Sequence, residues 1–294
     1  MNHAEQQVRK LDLWVGPITV NVLKGGVSNT SFVVSDQAGK WVARVGEDYP
    51  FHQVSRQREA IAARAAFEAG LSPEVVYAQG GIMVLRHIDA RTFIEADVRA
   101  NWQACVEIVK RCHNAMPKRI LGQGAIFWVF QILRDYAATL VTHGHAKAGE
   151  VSRWMNIVDA LEAAQNPLPI IFGHHDLLPT NFMDDGKRLW LIDWEYGAFG
   201  TAMFDLANLA AANSFDENLE TQMLDFYFEQ TPNQATLRGF FAMKVAAALR
   251  EAMWGMVSEI YLNAPGVDYV AYAAEYLSRF EAILKNYQTR FETI

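Results

Sequence analysis

Residues 168–196 read LPIIFGHHDLLPTNFMDDGKRLWLIDWEY, and this stretch decides the fold. Its pattern predicts a short apolar strand at residues 170–172, followed by a polar loop at residues 173–180. A tight hairpin comes next, because an Asp-Gly pair stands between two apolar runs, which is a strong local hairpin signal.

The arms of this hairpin are predicted at residues 181–183 and 188–192, with the turn at residues 184–187. If the Asp-Gly pair is the centre of the turn, residue 178 pairs near residue 193. The two ends of the motif then meet at one place in the fold.

That meeting point would hold Asp176, Asn181 and Asp193, which all carry short oxygen-bearing side chains. Phosphoryl transfer from ATP requires a carboxylate that orients the attacking hydroxyl, together with oxygen ligands for Mg²⁺. The spacing reproduces the catalytic-loop Asp, the catalytic-loop Asn and the metal-binding Asp of kinases, and His174 completes an H-x-D-x-x-x-x-N pattern. A plain hairpin with charged, solvent-facing ends is the alternative, and the combination of motifs disfavours it.

The composition fits a globular protein that is large enough for two lobes. The chain has 294 residues, of which 51% are apolar and 20% charged, and its net charge is -7. These values exclude wholesale disorder. No long run of Lys and Arg is present, so nucleic acid is not a predicted partner.

The cysteines and the apolar segments predict a cytoplasmic protein without a transmembrane segment. Cys105 and Cys112 are seven residues apart in a predicted helix, about 10 Å along its axis, which is too far for a disulfide. The first ten residues lack the apolar region of a signal peptide. The most apolar late segment, residues 240–257, is interrupted by charged residues.

The N-terminal part predicts a five-stranded antiparallel sheet with one main helix, and the remainder is mostly helical. The strands are expected at residues 18–23, 30–35, 40–45, 75–77 and 82–85, and the helix at residues 54–69. Later helices are expected at residues 97–115, 124–147, 149–164, 203–213, 216–230, 234–260 and 267–291. The connector 86–89 offers backbone groups to an adenine ring, Ile88 among them. We therefore predict an N-terminal nucleotide-binding lobe at 1–89 and a C-terminal catalytic and substrate-binding lobe at 90–294.

Four further residues are candidates for nucleotide binding. Ser28 and Asn29 follow a Gly-Gly pair whose backbone N–H groups could approach a phosphate, although Gly-Gly is also an ordinary hairpin turn. Arg44 stands where kinases place a cation for the α- and β-phosphates, although exposed strand arginines are common. Glu59 is the helical carboxylate expected to pair with this cation, and Glu68 is a rival near the helix end.

Taken together, these segments resemble the choline/ethanolamine kinase family, within the aminoglycoside-phosphotransferase-like, protein-kinase-like superfamily. The resemblance covers about residues 18–290. Its specific part is the motif from His174 to Asn181, followed by IDWEY at residues 192–196. FDLAN at residues 204–208 is similar to a further family segment.

The resemblance implies an α+β, two-lobed protein-kinase-like fold that binds ATP and Mg²⁺ in its cleft. By carry-over, Asp176 is the catalytic base, and Asn181 and Asp193 hold the metal. The implied substrate-binding residues are Glu195, Tyr196, Trp254 and Tyr269. A quaternary ammonium cannot donate hydrogen bonds, so its site needs aromatic faces and nearby carboxylates.

The implied function is an ATP- and Mg²⁺-dependent kinase of a small amino alcohol, most simply choline or ethanolamine. Family choline kinases often carry a second Trp where this chain has Val257, and a Glu near Ala212. A thiamine, aminoglycoside or sugar kinase of the same fold is therefore the alternative. A catalytically dead nucleotide-binding protein is another, and a homodimer is left open.

Overall fold

The computed structural model describes residues 3–23, 29–122, 124–262 and 266–291. An antiparallel five-stranded sheet has the order β1-β2-β3-β5-β4. Its strands are β1 (Thr19–Leu23), β2 (Thr30–Ser35), β3 (Lys40–Val45), β4 (Val75–Gln79) and β5 (Ile82–Arg86). The predicted sheet is therefore correct, with each strand boundary within two residues of the prediction.

Alternation along the strands gives this sheet two different faces. Phe32 and Val34 of β2 and Ala43 of β3 are fully buried against Val8, which lies in the N-terminal helix α1 (His3–Arg9). Because successive side chains in a strand point to opposite faces, Arg44 points away from α1. This geometry directs the Arg44 guanidinium toward the helix that follows β3.

The described helices after the first are α2 (Arg56–Glu68), α3 (Glu95–Ala100), α4 (Trp102–Ala115), α5 (Val129–Thr142), α6 (Val151–Ala163), α7 (Ala202–Ala212), α8 (Glu217–Phe228), α9 (Gln234–Tyr261) and α10 (Tyr269–Phe291). The later strands are β6 (Arg91–Thr92), β7 (Ile170–Gly173), β8 (Phe182–Asp184), β9 (Leu189–Leu191) and β10 (Ala198–Thr201). The boundary predicted between residues 89 and 90 stays a prediction. It falls between β5, the last strand of the large sheet, and β6, which pairs with β8.

Two of the predicted helices differ in part from the observed ones. The helix predicted at residues 54–69 begins only at Arg56, because Val54 and Tyr49 exchange backbone hydrogen bonds of 3.0 Å in both directions. The helix predicted at residues 97–115 is divided at Asn101, whose φ of -115° is not helical.

The helix predicted at residues 124–147 is shorter, because its first residues run beside an unpredicted strand. Phe199 in β10 donates its N–H to Ala125 at 2.8 Å and accepts the N–H of Phe127 at 2.7 Å. Since the backbone of this segment is bonded to β10, the helix begins at Val129.

The hairpin forms as predicted, but its register differs by two residues. Phe182 lies opposite Leu191, and Asp184 lies opposite Leu189, so Asp184 belongs to a strand rather than to the turn. The same register places residue 180, not residue 178, opposite residue 193. The predicted meeting of the two ends persists, because the Ile192 N–H donates to the Asn181 carbonyl at 3.0 Å.

The main hydrophobic core surrounds α9, most of which is buried. A Cβ atom added at Gly255 of α9 would lie 3.0 Å from the Tyr272 ring and 3.1 Å from Ala273, so glycine allows α10 to approach closely. Cys105 and Cys112 are buried free thiols, as predicted. Within the described ranges, every helix is too short or too polar to cross a lipid bilayer.

Candidate active site

The loop that follows β7 is held by one buried carboxylate of α7, which accepts hydrogen bonds from the loop backbone. Asp205 of α7 accepts the N–H of His174 at 2.9 Å and the N–H of His175 at 2.7 Å. His113 of α4 donates to the same carboxylate at 2.8 Å, and its other ring nitrogen bonds the Tyr227 hydroxyl at 2.7 Å. Burial alone would raise the pKa of Asp205, but the surrounding histidines and the His113 hydrogen bond hold it below its ordinary range.

Two amides in and beside α7 continue this support. Asn208 accepts the Leu177 N–H at 2.6 Å, and Asn213 donates to the Leu177 carbonyl at 3.1 Å. The sequence analysis noted the FDLAN segment only for its similarity to a family segment. It did not predict which backbone groups these side chains contact. Hydrogen bonds to α7 and the residue after it therefore hold the backbone on both sides of Asp176.

His174 ties the loop to the end of the hairpin. Its Nε2 donates to the Ile192 carbonyl at 2.8 Å, one residue before Asp193. Burial lowers the pKa of His174, so the ring is neutral and can make this bond as a donor.

His175 was not among the predicted site residues, and the structure gives it a fixed place. Its backbone is left-handed, with φ of 62°, and its ring stacks on Phe127 at 4.2 Å between centroids. The ring also donates from Nδ1 to the Tyr196 carbonyl at 3.1 Å, and burial lowers its pKa to about 4. A non-glycine residue with positive φ is uncommon, and here the backbone bond to Asp205 and the ring contacts hold this conformation directly before Asp176.

Asp176 and Asn181 contact each other directly. The Asn181 amide donates to the Asp176 carbonyl at 2.8 Å and to its carboxylate at 3.1 Å. Burial raises the pKa of Asp176, and the nearby carboxylates of Glu251 and Asp193 raise it further. A cation held in this cluster would favour the ionised form of Asp176.

Asp193 is joined to the large sheet by the predicted cation. Its backbone also has a positive φ, of 69°, and its carboxylate accepts from Arg44 at 2.7 Å. The second Arg44 nitrogen pairs with Glu59 at 2.9 Å, and Glu59 is buried. The structure therefore brings Arg44 and Glu59 together and leaves Glu68 outside this contact.

A second cation, Arg56, was not predicted. Its Nη1 lies 2.6 Å from Glu59 and 3.2 Å from Glu195. Burial raises the pKa of Glu195 to about 7, with a further contribution from Asp193. The available signal was the spacing of Arg56 and Glu59, three residues apart on one helix face.

The donor atoms near the loop fit Mg²⁺ by their chemistry. Asn181 directs its amide nitrogen to Asp176, so the hydrogen bonds to Asp176 do not use its carbonyl oxygen, and the Asp193 side chain is 29% exposed. In the described ranges, no group of three or more His, Cys, Asp and Glu side chains is arranged for a metal. This small oxygen set suits Mg²⁺, which keeps several waters and substrate phosphates in its shell.

An aromatic wall lies beside these groups, formed by α9 and α10. Trp254 donates from its indole nitrogen to the Tyr196 hydroxyl at 2.9 Å. Tyr272 and Tyr269 meet the Trp254 ring at angles of about 60°, with centroids 5.4 Å and 6.1 Å away. The structure thus brings three of the predicted substrate residues together and adds Tyr272.

Two buried charged residues in this wall were missed. Glu251 accepts from the Tyr272 hydroxyl at 2.9 Å and pairs with the neighbouring Arg250. The guanidinium of Arg250 lies over the Tyr196 ring, 4.4 Å from its centroid. Helical spacing was the signal, since Arg250 and Glu251 lie four and three residues before Trp254, on the same side of α9.

The remaining residues predicted to bind the nucleotide are Ser28, Asn29 and Ile88. Ser28 lies outside the described residues. The side-chain oxygen of Asn29 lies against Gly46, where an added Cβ would be only 2.0 Å away. Ile88 is partly buried in the connector between β5 and β6. The roles of these residues stay predictions.

Comparison with known proteins relates most of the chain to a family of phosphotransferases. The model of the phosphotransferase enzyme family matches residues 19–240. Protein LicA of Haemophilus influenzae is 23% identical over 212 residues, which is 70% of this chain and 62% of that protein. A probable ethanolamine kinase of Arabidopsis thaliana is 27% identical over 215 residues, 65% of this chain and 55% of that protein. The chain therefore matches less than two thirds of the length of these two relatives.

Among solved structures, a choline/ethanolamine kinase family protein from Mesorhizobium loti has a TM-score of 0.75 and 27% identity. The match covers 96% of this chain and 93% of that one. The predicted two-lobed kinase-like fold and the predicted resemblance are confirmed by these relatives. Because the family model spans the sheet, the loop, the hairpin and the start of α9, the chain belongs to the phosphotransferase enzyme family.

Proposed function

We propose that this protein transfers the γ-phosphoryl group of ATP, with Mg²⁺, to the hydroxyl of a small amino alcohol, choline or ethanolamine. One observation carries the proposal. Asp176 contacts Asn181 on an anchored loop, and the same site is bonded through Asp193 to the Arg44–Glu59 pair. These are the side-chain types and contacts that kinase chemistry uses.

In the proposed reaction, Asp176 orients the acceptor hydroxyl and accepts its proton as the oxygen attacks the γ-phosphorus. The bond from that phosphorus to the bridging oxygen breaks, and ADP leaves. Asn181 and Asp193 would hold Mg²⁺, which neutralises charge on the phosphates when it is bound. Arg44, held in direction by Glu59, would contact the α- and β-phosphates.

The aromatic wall supports an ammonium-bearing acceptor. Trp254 and Tyr272 present ring surfaces, and Glu251 supplies a carboxylate beside them. Cations bind aromatic faces through the ring quadrupole, and the attraction is larger when the site excludes water. The similarity to relatives named LicA and ethanolamine kinase favours the same substrate class.

A panel assay tests this function. We expect the purified protein to release ADP from ATP in the presence of Mg²⁺ and choline or ethanolamine. This release should stop when EDTA removes Mg²⁺. The panel also contains thiamine, an aminoglycoside and a simple sugar, which separate the alternative acceptors. ADP release with thiamine, the aminoglycoside or the sugar, but not with choline or ethanolamine, would contradict the amino-alcohol proposal. Nucleotide binding without turnover of any acceptor would contradict kinase activity.

Replacing Trp254 by Leu should raise the KM for the amino alcohol about 30-fold, because a desolvated cation–π contact contributes roughly 2 kcal/mol. The KM for ATP should change less than about twofold. Steady-state kinetics with each substrate varied in turn measures both values. Trp102→Leu is the matched control, since Trp102 of α4 packs on Phe226 of α8 rather than on the aromatic wall. Equal acceptor KM values for the two variants would contradict the role of Trp254.

A further inference from the structure

The segment between β3 and α2, residues 46–55, crosses from the sheet to the helical lobe. Phe51 stacks on Tyr261 of α9, with ring centroids 4.5 Å apart and planes at 18°. Gln53 has a left-handed backbone, with φ of 58°, and its amide donates to Asp135 of α5 at 2.8 Å. Phe51 and Gln53, which are two residues apart in this segment, are therefore both fixed to helices of the other lobe.

His52 lies between these two contacts and is only 2% exposed. Its Nδ1 is 3.0 Å from the Tyr136 hydroxyl, and its Nε2 is 2.8 Å from the Ser258 hydroxyl. Burial, together with the charge of Arg250, lowers the pKa of His52 to about 3, so the ring is neutral. A neutral imidazole has one donor and one acceptor nitrogen, and hydroxyls can complement both.

The face of the His52 ring lies on Trp254, with centroids 5.0 Å apart and planes at 19°. Trp254 is held at its indole nitrogen by the Tyr196 hydroxyl. The indole of the aromatic wall is therefore backed by a side chain that belongs to the segment after β3. A shift of His52 would tilt the ring that we propose faces the acceptor.

The same segment continues directly into the ion pairs below the nucleotide site. The Arg56 N–H donates to Asp48 at 2.7 Å, and its Nε donates to the Glu47 carbonyl at 2.8 Å. The Arg56 guanidinium pairs with Glu59, which also pairs with Arg44. Three residues of chain thus separate His52, which contacts Trp254, from Arg56, which shares the Glu59 carboxylate with Arg44.

From these contacts we infer that His52 is a positioning residue: it orients Trp254 for the acceptor and couples acceptor binding to nucleotide binding. The inference rests on the proposed function. Coupling is reciprocal, so the nucleotide tightens acceptor binding by the same factor as the acceptor tightens nucleotide binding.

Graded variants of His52 test this inference. His52→Phe keeps a ring on Trp254 and loses both hydrogen bonds, whereas His52→Leu loses the ring as well. We expect the acceptor KM to rise in the order wild type, Phe, Leu, reaching roughly tenfold in His52→Leu, because small misplacements of binding groups have large effects. The KM for ATP should change less than about twofold. A merely structural role would lower Tm and the active fraction but leave the acceptor KM unchanged.

The coupling itself is measured by calorimetry with choline or ethanolamine, whichever the wild type turns over with higher kcat/KM. The probe is Mg²⁺ with an ATP analogue that carries a β,γ-imido bridge. In the wild type, the analogue should tighten acceptor binding at least about fivefold, and in His52→Leu this factor should fall toward one. Gln53→Asn is the control, because it removes the bond to Asp135 while asparagine tolerates the left-handed backbone. The control should keep the wild-type factor.

A wild-type acceptor KM and coupling factor in folded His52→Leu would overturn the inference while leaving the proposed function intact. If His52→Leu fails to fold, Ser258→Ala decides, since it removes one partner of His52. Its acceptor KM should rise about two- to fivefold, the size of one net hydrogen bond, and an unchanged value would overturn the inference. If the wild type turns over no acceptor at all, the proposed function and the inference both fail.

Discussion

Replacing Asp176 by Asn should lower kcat by about 10² to 10⁴-fold, the usual contribution of a positioned general base. The variant keeps the shape of the side chain and can still contact the Asn181 amide through its own carbonyl oxygen. It loses the proton acceptor and the negative charge. Because the substrates still bind, both KM values should stay within about threefold of the wild type. Steady-state ADP release measures all three constants.

Asp184→Asn is the matched control for this change. Asp184 lies on the same hairpin, and its carboxylate accepts the Gly186 N–H at 2.8 Å, a bond that an Asn carbonyl can also make. We expect its kcat to stay within about twofold of the wild type, as for surface changes away from a site. If Asp176→Asn retained a kcat equal to that of the control, Asp176 could not be the base.

Replacing Asp205 by Ala should lower the free energy of unfolding by about 3–5 kcal/mol, the usual result of removing one partner from a buried charged network. The change leaves the N–H groups of His174 and His175 and the ring of His113 without their acceptor. Each unsatisfied buried donor costs roughly 1–3 kcal/mol. Urea unfolding at pH 7 measures the loss from the shifted midpoint.

The pH dependence of this contribution follows from the lowered pKa of Asp205. Its ordinary value is 3.8, and the folded value lies below it. The stabilisation is therefore complete above the unfolded pKa, and it is lost as the pH falls through the folded pKa. The difference between the wild type and Asp205→Ala should narrow as the pH falls below about 4.

Asp216→Asn provides the comparison, since Asp216 also accepts a backbone N–H, that of Leu219 at 2.8 Å, at the start of α8. Asn caps a helix about as well as Asp, so the free energy of unfolding should change by less than about 0.5 kcal/mol. Equal stabilities of Asp205→Ala and the wild type would show that the loop does not depend on its buried anchor.

The sequence predicted the parts of the site that are defined by local pattern. Alternation and turn residues predicted the five-stranded sheet, and the Asp-Gly pair predicted the hairpin. The positions of Arg44 and Glu59 followed from the strand and helix that carry them. Their contact is a long-range pair that the comparison with kinases predicted.

The sequence did not predict contacts that depend on tertiary packing. The hairpin register differs because Asp184 joins β8, so the loop between the arms runs over residues 185–188. The strand β10 was missed, since its pairing with β7 joins segments far apart in the chain. The bonds from Asp205 to the loop and the packing of His52 on Trp254 were also missed, since they too join segments far apart in the chain. A single sequence contains no local signal for such contacts.

The most direct test of the account is a crystal structure with Mg²⁺, the β,γ-imido ATP analogue and choline. We predict a metal about 2.0–2.1 Å from oxygens of both Asn181 and Asp193, as Mg²⁺ requires. The choline hydroxyl should lie within about 3 Å of the Asp176 carboxylate, close to the γ-phosphoryl group. A nucleotide bound elsewhere, or a metal that contacts neither residue, would contradict the account.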